Sequence, residues 1–319
     1  MTIYTPGKVV LDSGNAPAAI AGVAPTLDYR FARDRREIET VSLTDKLTFT
    51  RSASCAYTDP AGNVAIAGAN QPRFDHNSTS RESLGLLIEP SSTNAVEYSE
   101  NLTAWGIPSS SLILSSPVNS TAYYVENASS PTVTLAAANP AVVSFYAKAG
   151  SSDWLFVRSV NWSSVPRIWF NVKIGAIGFK ESAYIYDEQI SPVNNGWYRI
   201  SFKFNSPTDL KGLLQITACS GDLQISASGN VGVWGVQIED AALSSYIQTT
   251  GSTVTRTESA VIDGTGVITG TYTMVEKPAG CAAINAGNIE LQTGYTAERV
   301  MVFPAALSAQ QITDIRSAM

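Results

Sequence analysis

Hydrophobic and polar residues alternate with a period of two along several stretches of this chain, the pattern of half-buried strands. In Ile168-Trp169-Phe170-Asn171-Val172-Lys173-Ile174, residues Ile168, Phe170, Val172 and Ile174 fall on one face. Within 197–204, Tyr198, Ile200, Phe202 and Phe204 do the same. Val142-Val143-Ser144-Phe145-Tyr146 and Trp154-Leu155-Phe156-Val157 add segments of β-branched and aromatic residues, which suit a pleated surface. Turn-forming clusters lie between them: Gly150-Ser151-Ser152-Asp153, Asn194-Asn195-Gly196, Ser220-Gly221-Asp222 and Ser228-Gly229-Asn230. Many short strands with regular turns predict an antiparallel β-sandwich or jelly roll, with the named apolar residues inward. Trp169 and Trp197 fall in the opposite phase and are expected to point away from that core.

The flanks read differently. Residues 1–44 carry Pro and Gly punctuation and little periodicity, so they bury little by themselves and are expected to form an extended N-terminal arm. Residues 45–256 make the sandwich. Residues 257–319 look like a small C-terminal β unit of four short strands closed by a helix over 308–319. Ser308 at the N-cap and Gln311 three residues on form a capping box, with Leu307 and Ile312 at the hydrophobic-staple positions. Ile312, Ile315 and Met319 share one helical face.

Composition narrows the setting. The chain has 319 residues, enough for one large β domain or two smaller ones, and 15% are charged, against roughly 25% in ordinary soluble proteins. A surface of hydroxyls and amides suits extracellular or particle-borne β proteins better than cytosolic enzymes. The net charge of −6 argues against nucleic-acid binding, which needs a basic patch. Arg30, Arg33, Arg35 and Arg36 cluster, but Asp28, Asp34, Glu37 and Glu39 neutralise them. Cys55, Cys219 and Cys281 are far apart and odd in number, so neither a zinc site nor a disulfide framework is expected. No signal-peptide pattern opens the chain and no stretch approaches 18 apolar residues, so the expectation is synthesis in a cytosol with no membrane partner.

Three blocks carry a resemblance. The first runs from Lys46 to Asn94: a strand ending TFTR at Arg51, the turn Asp59-Pro60-Ala61-Gly62, then PRFDH and ESLGLLIE. The second is Asn195-Gly196-Trp197-Tyr198-Arg199-Ile200-Ser201, and the third runs from Val233 to Arg256, VWGVQIEDAALSSYIQTTGSTVTR. In wording and order they resemble a module of tailed-bacteriophage virion proteins, found in fibres, spikes and other appendages. The resemblance implies a concanavalin-like or carbohydrate-module-like jelly roll and a structural role in the virion. It also implies an N-terminal anchor to capsid or tail proteins. A homotrimer is expected, because sandwich edges and a dependent arm both need partners.

Chemistry is sparse. His76 is the one histidine, beside Asp75, but no nucleophile elbow is present and neighbours on a strand face opposite ways. It reads as a hydrogen-bonding residue of the motif. Arg51, Arg73 and Glu89 are expected to pair within the fold, since polar groups between apolar strands need partners. Asp187-Glu188 and Glu239-Asp240 are adjacent and make poor glycosidase dyads. A polysaccharide-degrading tailspike and a cellular carbohydrate-binding module remain the alternatives. No cofactor is expected, and nothing singles out ligands for a structural Ca²⁺. The candidate ligand site is a stacking platform for host-surface glycans: Trp154, Trp162 and Trp169, with Arg158 and Arg167 for the hydroxyls. The competing reading of these aromatics is burial under a loop or in a subunit interface.

Overall fold

The protein is described here from a computed structural model that defines residues 27–30, 47–108, 113–129, 133–135, 140–160, 167–204, 210–240, 242–262, 271–277, 281–285, 289–291, 294–303 and 305–318. The fold is all-β, and the described residues include one α-helix, near the C-terminus. Two six-stranded antiparallel sheets form the sandwich. The inner sheet runs Ile185–Pro192, Tyr198–Phe204, Ala141–Ala149, Val231–Asp240, Thr121–Val125, Ile113–Ser115. The outer sheet runs Asn127–Ser129, Leu210–Cys219, Trp154–Val160, Arg167–Asn171, Ala176–Lys180, with Val133–Leu135 also pairing to Leu210–Cys219.

The expected alternation is what builds the core between them. Val143, Phe145 and Ala147 from the inner sheet meet Leu155, Val157, Ile168, Phe170 and Ile216 from the outer one. Phe170 stacks on Phe202 across the gap, centroids 6.2 Å apart. Ile200, Phe202 and Phe204 are buried as expected, and Tyr198 packs against the same core from its margin. Ile174 departs from the expected register and is 70% exposed. The strand ends at Asn171, whose Oδ1 accepts from the N–H groups of Lys173 and Ile174 and turns the chain. Gly175 completes that turn at φ +69°, where a Cβ would lie 2.4 Å from the Tyr198 ring.

A third layer of short strands covers the far face of the inner sheet. Its hairpin Cys55–Thr58/Val64–Ala67 lies over Trp197, Trp234, Tyr146 and Tyr246, which form a second apolar cluster with Ala56 and Ala122. Trp197 does point away from the sandwich core, and the third layer buries it completely. Because both faces of Val231–Asp240 are covered, nine of its ten residues are buried and it shows no alternation.

Strand pairing knits the third layer to the C-terminal region. Leu47–Arg51 pairs with Glu258–Ile262, which continues to Ile289–Glu290. Phe74–His76 pairs with Ser83–Ile88, and that strand with Tyr295–Ala297. Ser92–Asn94 pairs with Val254–Arg256. Gly85, in the LGLLIE motif, sits at φ +108°; a Cβ there would be 2.0 Å from the Ala297 carbonyl oxygen, so only glycine admits the neighbouring strand.

Leu27–Arg30, from the expected arm, pairs with Arg299–Phe303, which pairs with Thr271–Lys277, and that strand with Cys281–Asn285. Pairing therefore crosses both expected domain boundaries, 44/45 and 256/257. Among the described residues of 257–319 there are six short strands where four were expected. Its helix, Ala309–Ala318, starts with the predicted capping box: Gln311 N–H donates to Ser308 Oγ at 3.2 Å, and Ser308 N–H to Gln311 Oε1 at 3.0 Å. Ile315 and Leu307 dock on Met301 and Phe303, whereas Met319 lies outside the described residues. Among the described residues no helix is long and apolar enough to cross a membrane.

Candidate functional site

Trp154–Val160 and Arg167–Asn171 are antiparallel neighbours, with Phe156 opposite Trp169 and Arg158 opposite Arg167. Their core-facing residues are Leu155, Val157, Ile168 and Phe170. Trp154, Arg158, Arg167 and Trp169 are therefore brought together on the outward face, the phase expected for Trp169. Trp162 lies outside the described residues.

The face is not an open platform at Trp169, which is 1% exposed. The loop after Leu210–Cys219 closes over it, and Trp169 Nε1 donates to Gln224 O at 2.9 Å. Phe156 and Phe179 flank its ring at 5.7 and 6.3 Å. The phase was right, but the outward face is covered, so stacking on Trp169 is withdrawn. Trp154 is half-buried against the same cluster. Both arginines are engaged. Arg158 Nε donates to Gln215 Oε1. Arg167 clasps Glu181 through Nη1 to Oε1 at 2.7 Å and its own N–H to Oε2 at 3.0 Å.

His76 is nearly buried, its Nδ1 3.3 Å from Thr58 O. The pairing register slips between Asp75 and His76, and both side chains reach Thr58: Asp75 Oδ1 accepts Thr58 N–H at 2.7 Å. The rule that strand neighbours face apart fails here at a bulge. Thr58 is held from both sides, which is a fixing role.

The motif residues instead converge on a buried ionic cluster. Arg51, Arg73 and Arg256 are 0–1% exposed. Arg73 Nη2 lies 2.8 Å from Glu89 Oε2 and 2.5 Å from Glu258 Oε1, pairing Arg73 with Glu89 as expected. Arg256 Nη1 reaches Glu89 Oε2 at 2.9 Å, while its Nε and Arg51 Nη1 stand 3.9 and 3.8 Å from Glu258 Oε1. Arg51 also donates to the carbonyls of Ala53, Ala67 and Gly68. Glu239 is fully buried and accepts from Ser92 Oγ at 2.6 Å and from Ser244 Oγ, which also receives Arg256 Nη1.

Three arginines face three carboxylates, so the cluster is neutral as a whole. Burial alone would raise the Glu89 pKa, but Arg73, Arg256 and two hydrogen bonds from Ser245 outweigh it and hold Glu89 below the usual carboxylate range. Burial, with Arg73 adding to it, lowers Arg51 to about 10, which leaves it charged at neutral pH. With the carboxylate oxygens already receiving donors, the cluster is a clamp rather than an acid–base centre. Glu239, Arg256 and Glu258 were not anticipated as members. Their signal is weak but present: charges inside otherwise apolar strands of a charge-poor chain. Cys55 and Cys219 are buried free thiols, and among the described residues no group of three His, Cys, Asp or Glu could hold a metal.

No protein-family model matches the chain, and no curated protein is similar to it.

Proposed function

We propose that this chain is a non-enzymatic structural subunit of a tailed-phage virion, a fibre, spike or head/tail appendage protein, made in the host cytoplasm and carried in the particle. The observation that supports this best is where the resembling motifs place their charges. TFTR, PRFDH, LGLLIE and the VWGVQIED-to-TR block contribute Arg51, Arg73, Glu89, Glu239 and Arg256 to one neutral, buried clamp. What the chain has in common with the virion module is thus what holds its layers together, not an exposed reactive group.

In this reading the subunit is a homotrimer attached to capsid or tail proteins through its N-terminal arm. Since Leu27–Arg30 pairs with Arg299–Phe303, attachment falls to residues 1–26. Mass spectrometry of washed particles tests the reading directly, and absence of the protein from them would refute it. A chain lacking residues 2–26 should fold and no longer incorporate; normal incorporation would remove the anchor. Release of reducing ends from host polysaccharide, abolished by one carboxylate substitution, would establish the tailspike alternative instead.

A further inference from the structure

We infer that a cleft between the inner sheet and the third layer binds a single neutral saccharide residue. The cleft encloses about 250 Å³. That is room for roughly eight waters at ~30 Å³ each, the scale of one sugar ring. Asp75 lines it from the third layer and Arg199 from the inner sheet, with Tyr146 on the floor and Leu87, Val193 and Leu243 supplying apolar wall.

The two charged groups are left with unused hydrogen-bonding capacity beside the cleft. Among the described residues no ion pair joins Asp75 to Arg199. Arg199 lies over the Tyr146 ring at 5.8 Å, and its Nη2 donates to Ser244 O. Its Nε is buried without an acceptor. A guanidinium carries five N–H donors, so most of this one's capacity is open. Asp75 accepts Thr58 N–H at one oxygen. Burial is the largest influence on its pKa and raises it, against backbone hydrogen bonds from Thr58 and His76 and the charge of Arg73.

Buried polar groups left half-satisfied beside a cavity call for a partner that both donates and accepts. A sugar hydroxyl does both, donating to Asp75 while another accepts from Arg199. One acid and one base make the wall neutral overall, which selects against an anion or a cation. The hydroxyls of Tyr57, Ser191 and Ser201 add polar positions, and Leu87 and Leu243 suit the C–H face of a pyranose ring.

This goes beyond the proposed place in the particle and stands or falls separately from it. Purified protein is titrated with glucose, galactose, mannose and N-acetylglucosamine by saturation-transfer NMR and calorimetry, with glycine and inorganic phosphate as charged probes. Saturable binding of at least one sugar is expected. Asp75→Asn and Arg199→Met should abolish it. Because those changes touch packed groups, Leu243→Trp is the cleaner variant: Leu243 is 40% exposed at the mouth. It should weaken binding about tenfold or more while the melting temperature is unchanged. No sugar binding, binding of glycine or phosphate alone, or unaltered binding by Leu243→Trp would each overturn the inference. Particle incorporation that persists through such a failure leaves the structural reading intact.

Discussion

Replacing Glu258 with Gln perturbs the clamp at its most connected point. The side chain is fully buried, 2.5 Å from Arg73 Nη2, and within 4 Å of Arg51 Nη1 and Arg256 Nε. Its other oxygen accepts Glu89 N–H at 2.7 Å. The amide keeps the shape, so no cavity opens and the effect is electrostatic. Three buried guanidinium groups then face two carboxylates, Glu89 and Glu239, and the new NH₂ group meets donors. Removing one partner of a buried ion pair costs about 3–5 kcal/mol, because the charge left behind stays desolvated.

Glu181→Gln is the control. The Arg167–Glu181 pair is 24% and 30% exposed, and an exposed pair contributes about 1 kcal/mol or less. Urea unfolding followed by tryptophan fluorescence measures both variants, with the slope checked for constancy. A Glu258→Gln loss no larger than that of the control would refute the argument. The three arginines would then be compensated without Glu258.

Three further outcomes follow from the same packing. Glu89 is held below its ordinary 4.5, so its contribution is complete above that pH and is lost as pH falls through the lower folded value. The stability gap between wild type and Glu89→Gln should accordingly hold steady above about pH 4.5 and narrow below it; a gap that stays constant on acidification contradicts this. Phe202→Ala removes a core ring stacked on Phe170 and should cost about 3–5 kcal/mol in urea unfolding, whereas a loss under ~1 would mean the site collapses or the ring is dispensable. Gly85→Ala forces a Cβ onto the Ala297 carbonyl at φ +108° and should cost about 2–4 kcal/mol, with amide exchange rising first around 295–297; full wild-type stability would mean the neighbouring strand yields freely.

The sandwich was legible in the sequence wherever one face of a strand is covered by the other sheet. Ile200, Phe202 and Phe204 announced themselves by alternation, and the turns at Asp59–Gly62 and Asn194–Gly196 by their residues. Trp169 shows the limit: period two gives the phase of a side chain, but not whether a loop 55 residues away will close over it. Val231–Asp240 carries no alternation because two layers press on it, so its burial on both faces was invisible to a one-face pattern. The ionic cluster was half visible. Arg73 and Glu89 are 16 residues apart within one motif, while Arg73 and Glu258 are 185 apart, and only the pairing of Leu47–Arg51 with Glu258–Ile262 brings the last acid in. The polar cleft has no sequence signature, since Asp75 and Arg199 meet it from different layers.

The clamp also sets a timetable for synthesis. Arg73 is translated 185 residues before Glu258. At ~5–20 residues per second that is a wait of roughly 10–40 s. Only near the end of that interval, once residue 240 is made, are both sheets of the sandwich complete in sequence, and the hairpins that cover the inner one are by then already made. Arg73 already has Glu89, but Arg51 and Arg73 still lack Glu258, so those hairpins sit on the inner sheet before the clamp is complete. Closure is a late event, set by the arrival of residues 258–262 and then 299–303. A ribosome that pauses between codons 240 and 258 leaves a chain whose aromatic face around Trp197 and Trp234 is only loosely shielded. Such stalled chains, rather than finished ones, are where chaperones would find this protein and where its losses to aggregation would begin.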